Sequence, residues 1–251
     1  MRRAAFSLIV CLLSEPTVAQ NAADEFYDPG EMAAARAALH QSHGGQINYL
    51  VLAEQFEWLD DDELGWEAQG WVGGDEHKLW LKTEGAADDD AALEAVEWQA
   101  LYSRAIHPFW DIQAGLRVDA EPGPTRTFAT LGVQGLAPYW FEIDAALFIS
   151  DDGDLSARAE IEYELLLTQR LILQPKLEID AAVNDDVETG VYRGINSVEA
   201  GLRLRYEWRR EFAPYVGILH ESAIGNARRT FNATGRQTSE TVYVLGLRAW
   251  W

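Results

Sequence analysis

Sulfur and positive charge are what this sequence of 251 residues has least of. Its one cysteine, Cys11, falls in an N-terminal apolar run, and its methionines are Met1 and Met32. Beyond that run no disulfide, cysteine zinc site or catalytic thiol can be built, so a large core or a closed sheet must stabilise the chain. Lysine and arginine number 20 against 41 acidic residues, a formal charge of -21. Binding a phosphate backbone needs the opposite sign, so nucleic acid is excluded as a partner. Long hydrophobic runs are missing too. Past residue 19 nothing approaches the ~18 consecutive apolar residues of a spanning helix, so a membrane location requires a β-barrel.

What is present begins with "MRRAAFSLIVCLLSEPTVAQN". Two arginines, an apolar stretch from Ala4 to Leu13 and the small residues before Gln20 predict a secretory signal over 1–19, cleaved after Ala19. Residues 20–45 are rich in alanine from Glu31 to Leu39 and reach Gly44-Gly45, which predicts a short helix in a periplasmic N-terminal arm. From Gln46 the texture changes to alternation, and 46–251 reads as about twelve strands. Phe141, Ile143, Ala145, Leu147 and Ile149 share one face of a strand, with Glu142 and Asp144 on the other. Ala157, Ala159, Ile161, Tyr163 and Leu165 oppose Arg158, Glu160, Glu162 and Glu164. The same period of two continues through 170–182 and 195–208.

The connections alternate as well. "GGDE", "RAIHP", "LAP", "TQR" and "WRREF" are short, whereas "EGAADDDA", "NDDVETGVYRG" and the basic "IGNARRTFNATGRQT" are longer. Short turns on one rim, longer loops on the other and an even strand count predict an all-β fold, an antiparallel transmembrane β-barrel of about twelve strands with periplasmic turns and termini. The last strand ends in Trp251, in phase with Tyr243, Leu245, Leu247 and Ala249. Trp58, Trp66, Trp71, Trp80, Phe109, Trp110, Tyr139, Trp140, Trp208 and Tyr215 are expected in interfacial girdles. A soluble sandwich would turn the same apolar face inward, which period two alone does not exclude.

The segments "QFEWLDDDELGWEAQGWVGGDEHKLWLKTEG", "LYSRAIHPFWDIQAGLRVD" and "PYWFEIDAALFISDDGDLSARAEIEYELLLTQRLILQPKLEID" resemble the copper resistance protein B family of Gram-negative outer membranes, over 46–251. The resemblance implies a bacterial outer-membrane location, a part in copper resistance or homeostasis, and company with periplasmic copper-handling proteins. It implies copper, Cu(I) or Cu(II), as a bound or transported ion. Many members carry an arm rich in Met and His; this arm has only Met32, His40 and His43.

Those three are the predicted metal ligands. His40 and His43 stand at i and i+3, where two imidazoles on one helix can share an ion. Met32 would add the soft thioether that Cu(I) favours. A solvated arm with incidental histidines is the plainer alternative. Within the barrel Glu97, Asp111, Arg117, Glu142, Asp144, Arg158, Glu160, Glu162, Glu164, Lys176, Glu178, Asp180, Glu199, Arg203, Arg205, Glu207 and Arg248 are expected to share the lumen, either as bracing networks or as a cation path. The acidic loops at 60–63, 88–90, 151–154 and 184–186 would gather cations or bridge through them to lipopolysaccharide. His77 beside Glu76, His107 at a turn and His220 near the outer rim are isolated. Ser103, Ser150 and Ser156 lack a nucleophile's context, so no enzyme is expected, and a general porin-like barrel is the competing function.

Overall fold

The computed structural model describes residues 23–43, 45–59, 63–88, 92–121, 125–186 and 190–251, so the expected signal over 1–19 lies outside the described residues. The chain divides into two units, Met1–Gln46 and Ile47–Trp251. In the first, α1 spans Pro29–His43. Proline at the first helical position loses no hydrogen bond there, and Asp28 Oδ1 accepts from the Glu31 amide at 2.9 Å as a cap. Arg36 grips both carboxylate oxygens of Asp24, at 2.6 and 3.0 Å.

The second unit is a closed antiparallel barrel. Its strands are β1 (Asn48–Leu59), β2 (Leu64–Gly73), β3 (His77–Ala87), β4 (Leu93–His107), β5 (Trp110–Glu121), β6 (Arg126–Ala137), β7 (Phe141–Ser150), β8 (Leu155–Glu162), β9 (Leu165–Leu166), β10 (Leu171–Ala182), β11 (Gly194–Tyr206), β12 (Phe212–Ala223) and β13 (Ser239–Trp250). β9 continues β8 after a break at Tyr163-Glu164, and both pair with β10, so twelve strands span the barrel. Every strand pairs with its chain neighbours, and β13 pairs with β1 to close the ring. The Val51 amide and Trp251 carbonyl, and the reverse pair, bond at 3.0 and 2.9 Å, carrying the closure to the last residue. With no free sheet edge, every strand finds its partners without water.

The faces sort as a membrane barrel requires. Val51, Leu79, Leu81, Leu116, Val216 and Leu245 point outward and are exposed, while Arg203 and Arg205 are 2% and 1% exposed inside. Buried arginines beneath an exposed aliphatic belt rule out the soluble alternative. Trp58, Trp140, Trp208 and Trp251 lie exposed near the rims. At the short turn Pro138–Trp140, Tyr139 and Trp140 take positive φ, 68° and 69°. Such backbone costs about 1–3 kcal/mol per residue. It is sustained where both rings reach the interface, Trp140 edge-on to Phe109 at 6.4 Å.

Three expected girdle residues turn inward instead. Trp71 and Trp80 face each other across β2 and β3 at 6.3 Å, with Lys78 and Lys82 beside their rings. Tyr215 is 4% exposed, over Gly246, where a Cβ would come within 2.5 Å of its ring. The basic stretch expected as a loop holds a helix, α2 (Gly225–Thr234), which buries Ala227 and stops at Gly235 in the left-handed region, φ 74°. Ten residues rich in Thr and Asn hide such a helix from propensity.

Leu245→Arg, a charge placed on the outward belt, is expected to cost about 2–4 kcal/mol near the membrane midplane. Urea unfolding of the chain refolded in lipid vesicles measures it, against Glu240→Gln at the rim as a near-neutral control.

Candidate functional site

Register builds the lumen. Because directly opposed residues share a face, inward carboxylates on neighbouring strands line up in rows. Asp144 faces Glu160, Glu160 faces Glu178, Glu178 faces Glu199, Glu199 faces Glu221 and Glu221 faces Glu240. A second row runs Asp119, Glu97, Glu84 and Glu67 over β5 to β2. Like charges placed opposite destabilise a sheet, so each row needs cations.

Those cations reach across the barrel. From β10, Lys176 Nζ bonds Glu67 on β2 at 2.8 Å and Glu160 on β8 at 2.9 Å. Arg158 on β8 meets Glu84 at 3.0 Å and Glu97 at 3.3 Å on the facing wall, and Glu178 and Asp180 at 3.3 Å beside it. Lys82 on β3 pairs with Asp144 on β7. Nearer the short turns, Lys78 holds Asp111 at 2.9 Å, and the Ser103 hydroxyl donates to that carboxylate at 3.0 Å. The lumen is therefore braced between opposite walls.

A compact plug fills the side where the ring closes. Arg203 donates through Nε to Glu57 Oε1 at 2.6 Å and through Nη2 to Gln55 Oε1 at 2.8 Å. Arg205 donates to Gln174 at 2.6 Å and to Glu164 at 2.5 Å. A bulge in β1 makes this reach workable: Ala53 and Gln55 oppose Ala68 and Glu67, leaving Glu54 as the extra residue. Glu54 and Gln55 consequently both bond lumen groups, Glu54 accepting from Gln69 at 2.8 Å.

Between braces and plug lies a cavity of about 360 Å³. Glu54, Glu67, Glu84, Glu97, Glu142, Asp144, Glu160, Glu162 and Glu178 line it, against Lys82 and Arg158 as its cations. Its chemistry suits cations bound through oxygen.

All the residues expected in the lumen from Glu97 to Arg248 lie on inward-facing positions, with Glu207 just past the end of β11 at 4.0 Å from Arg205. Glu54, Glu57, Glu67, Lys78, Lys82 and Glu84 belong with them but escaped the pattern. The bulge shifts the phase of β1, and tryptophans occupy both faces of β2, Trp66 and Trp71, and the inner face of β3, Trp80. The three histidines of the barrel, His77, His107 and His220, stay out of the lumen. His77 stacks on Tyr102, with Nδ1 and the hydroxyl 2.6 Å apart and Glu76 4.0 Å away. His220 contacts the Thr241 and Ser222 hydroxyls on the outer face. His107 caps its own turn.

In the acidic loops, Asp154 accepts from Asn184, Asp185 from the Arg193 amide, and Asp186 pairs with Arg126. Asp60 to Asp62, Asp89 and Asp90 lie outside the described residues. Met32, His40 and His43 all fall on α1, with Met32 half-buried; the side chains of His40 and His43 lie outside the described residues. Among the described residues no three acidic, histidine or cysteine side chains converge on one metal position.

Comparison with known proteins agrees with the barrel and adds a family. Residues 47–251 match the family described as copper resistance protein B precursor (CopB). The copper resistance protein B of Escherichia coli is 42% identical over 214 residues, 84% of this chain and 72% of that protein. A copper resistance protein B homolog of Pseudomonas syringae pv. tomato is 38% identical over 226 residues, 86% of this chain and 76% of that protein. Among solved structures the NanC porin superposes with a TM-score of 0.51 at 12% identity, covering 80% of this chain and 99% of that one, a likeness of fold.

Removing a brace tests the energetics of the lumen. Lys176, whose side chain is 6% exposed, leaves Glu67 and Glu160 unopposed when replaced, so Lys176→Met is expected to destabilise by about 3–5 kcal/mol in urea unfolding. Adding Glu67→Gln and Glu160→Gln is expected to return most of that loss, the signature of a coupled network.

Proposed function

The chain belongs to the copper resistance protein B family, and from that premise we propose that this outer-membrane barrel binds copper ions and helps remove them from, or sequester them in, the periplasm. The observation that carries the reading is the family match, which runs through every strand of the barrel. We read residues 1–19 as a removed signal, 20–45 as a periplasmic arm and 46–251 as the membrane anchor and route. The metal ligands proposed are Met32, His40 and His43. Their support is the spacing of the two histidines, one helical turn apart on α1.

Its role is one of binding and passage rather than catalysis, in keeping with the family and a porin-like fold. The partners proposed with it are copper ions as cargo, outer-membrane lipid and lipopolysaccharide around the apolar belt, and, from the family, periplasmic copper-handling proteins. A general structural or porin-like barrel without copper preference is the competing reading. The salt bridges that cross the lumen speak only against a wide open pore, and copper binding is what separates the two readings.

Copper binding by the refolded mature chain, with Cu(I) and Cu(II) titrated separately, decides between them. Deleting residues 20–45 is expected to weaken Cu(I) binding about tenfold or more, ~1.4 kcal/mol or beyond. Equal binding with and without the arm would remove Met32, His40 and His43 as ligands. A deletion strain is expected to lose copper tolerance without general detergent sensitivity, and the reverse pattern would favour the general porin.

A further inference from the structure

Positive charge is scarce in this chain, 20 basic against 41 acidic residues, yet one place on the long-loop rim gathers four arginines that meet no acid. Arg228 and Arg229 stand on α2, Arg236 just past its end and Arg193 on the loop before β11. All four are exposed, and none forms an ion pair among the described residues. Asp185 accepts from the Arg193 amide, at 2.7 Å, and not from its guanidinium. The helix is seated so as to show this charge. Its inner stripe carries buried Ala227 and half-buried Phe231, whose ring meets Tyr192 edge-on at 6.3 Å, and Asn226 donates to the Arg193 carbonyl at 2.8 Å. Arg228 and Arg229 follow Ala227 round to the flank and the far side of the helix. Arg236 Cζ sits 4.2 Å from the Phe231 ring, which orients that guanidinium without neutralising it.

The two strands that α2 joins carry a second, independent sign. Toward that rim the outward positions of β12 run Val216, Ile218, His220 and Ser222, and those of β13 run Leu245, Tyr243, Thr241 and Ser239. His220 stands opposite Thr241, and Ser222 opposite Ser239. A polar patch therefore ends the apolar belt at this corner. Elsewhere on the same rim the outward rows of β7, β8 and β10 stay apolar as far as Ile149, Leu155 and Ala181. His220 is fixed in place, with Nδ1 2.6 Å from Thr241 Oγ1 and Nε2 3.0 Å from Ser222 Oγ. Such groups are costly against hydrocarbon and at home among polar headgroups.

Longer loops mark the outer rim of such a barrel, so the helix and the polar patch both lie at the outer leaflet. Together they suit a headgroup that is anionic and rich in hydroxyls. Phosphate is the anion that guanidinium fits best, through paired N–H donors. Four clustered cations repel one another, and bound phosphate reverses the sign of that interaction. We propose that Arg193, Arg228, Arg229 and Arg236, with His220 and Thr241 on the wall of the same corner, dock the phosphorylated sugar headgroup of one lipopolysaccharide molecule. The site deepens the lipopolysaccharide part of the reading above, on which it rests, and does not depend on copper.

The test uses the refolded mature chain in neutral detergent micelles and bisphosphorylated lipid A, counted per barrel by native mass spectrometry. One tightly held lipid is expected, with binding that weakens as salt rises. Replacing Arg228, Arg229 and Arg236 together by Gln is expected to weaken it about tenfold or more, and removing the phosphates from the lipid to do the same. Arg209→Gln with Arg210→Gln, at the short-turn rim, is expected to change it less than about twofold. His220→Leu with Thr241→Val, expected to weaken it about threefold, tests the site should the arginine variant fail to fold. Undiminished binding by the variants, or of the dephosphorylated lipid, overturns the site. So does full displacement by equimolar inorganic phosphate, which would mark an anion patch with no preference for lipid. Copper binding without lipid A binding would remove the site and leave the copper reading; lipid A binding by a chain that binds no copper would uphold the site and remove that reading.

Discussion

Lipid outside the barrel leaves charge only one place to go. With an apolar belt facing outward, the ionisable residues of twelve strands are forced into one narrow lumen, and antiparallel register then sets carboxylate against carboxylate. Lys176 and Arg158 answer that by reaching across the interior to strands far away in sequence. The bracing and the cavity beside it both descend from this constraint. Desolvating such groups is expensive, and single deletions leave a partner stranded, so the network is strongly interdependent.

The acid excess of the sequence therefore has two structural fates. Part of it is neutralised internally and serves the barrel's own shape. The remainder, Glu54, Glu142 and Glu162 at the cavity and Glu199, Glu221 and Glu240 toward the long loops, forms no ion pair among the described residues, although Glu162 stands opposite Lys176 in the sheet. That remainder, rather than net charge as a whole, gives the lumen its electrostatic preference. Basic residues are distributed differently: Arg193, Arg228, Arg229 and Arg236 lie exposed around α2 and its neighbouring loop, away from the lumen.

Most of the architecture was legible in the sequence because period two is a local signal repeated in every strand. β7, β8, β10 and β11 gave their faces directly, and the alternating loop lengths supplied the rims. Legibility stopped where the cause is not local. One extra residue at Glu54 shifts the phase of β1 and conceals Glu57. Trp71 and Trp80 fit either face by size and polarity, and only the lysines beside them show which way they turn. The pairing of Lys176 with Glu67, 109 residues apart, has no trace in either segment. The arm offered ligand types and spacing, which is as far as sequence carries a metal site when the ligands are few.

The closure of β13 on β1 has one more implication. Ring order equals chain order, and the start of β1 lies beside Trp251 on one rim. The barrel thus has no architectural beginning: any short turn on that rim, such as 74–76 or 167–170, marks an equivalent cut. A circularly permuted chain opened there, with its old ends joined, would keep every strand neighbour and every cross-lumen pair. Trp251 would then lie inside such a chain while its two backbone bonds to Val51 stayed in place, so the ring is defined by strand neighbours and not by where the chain is opened.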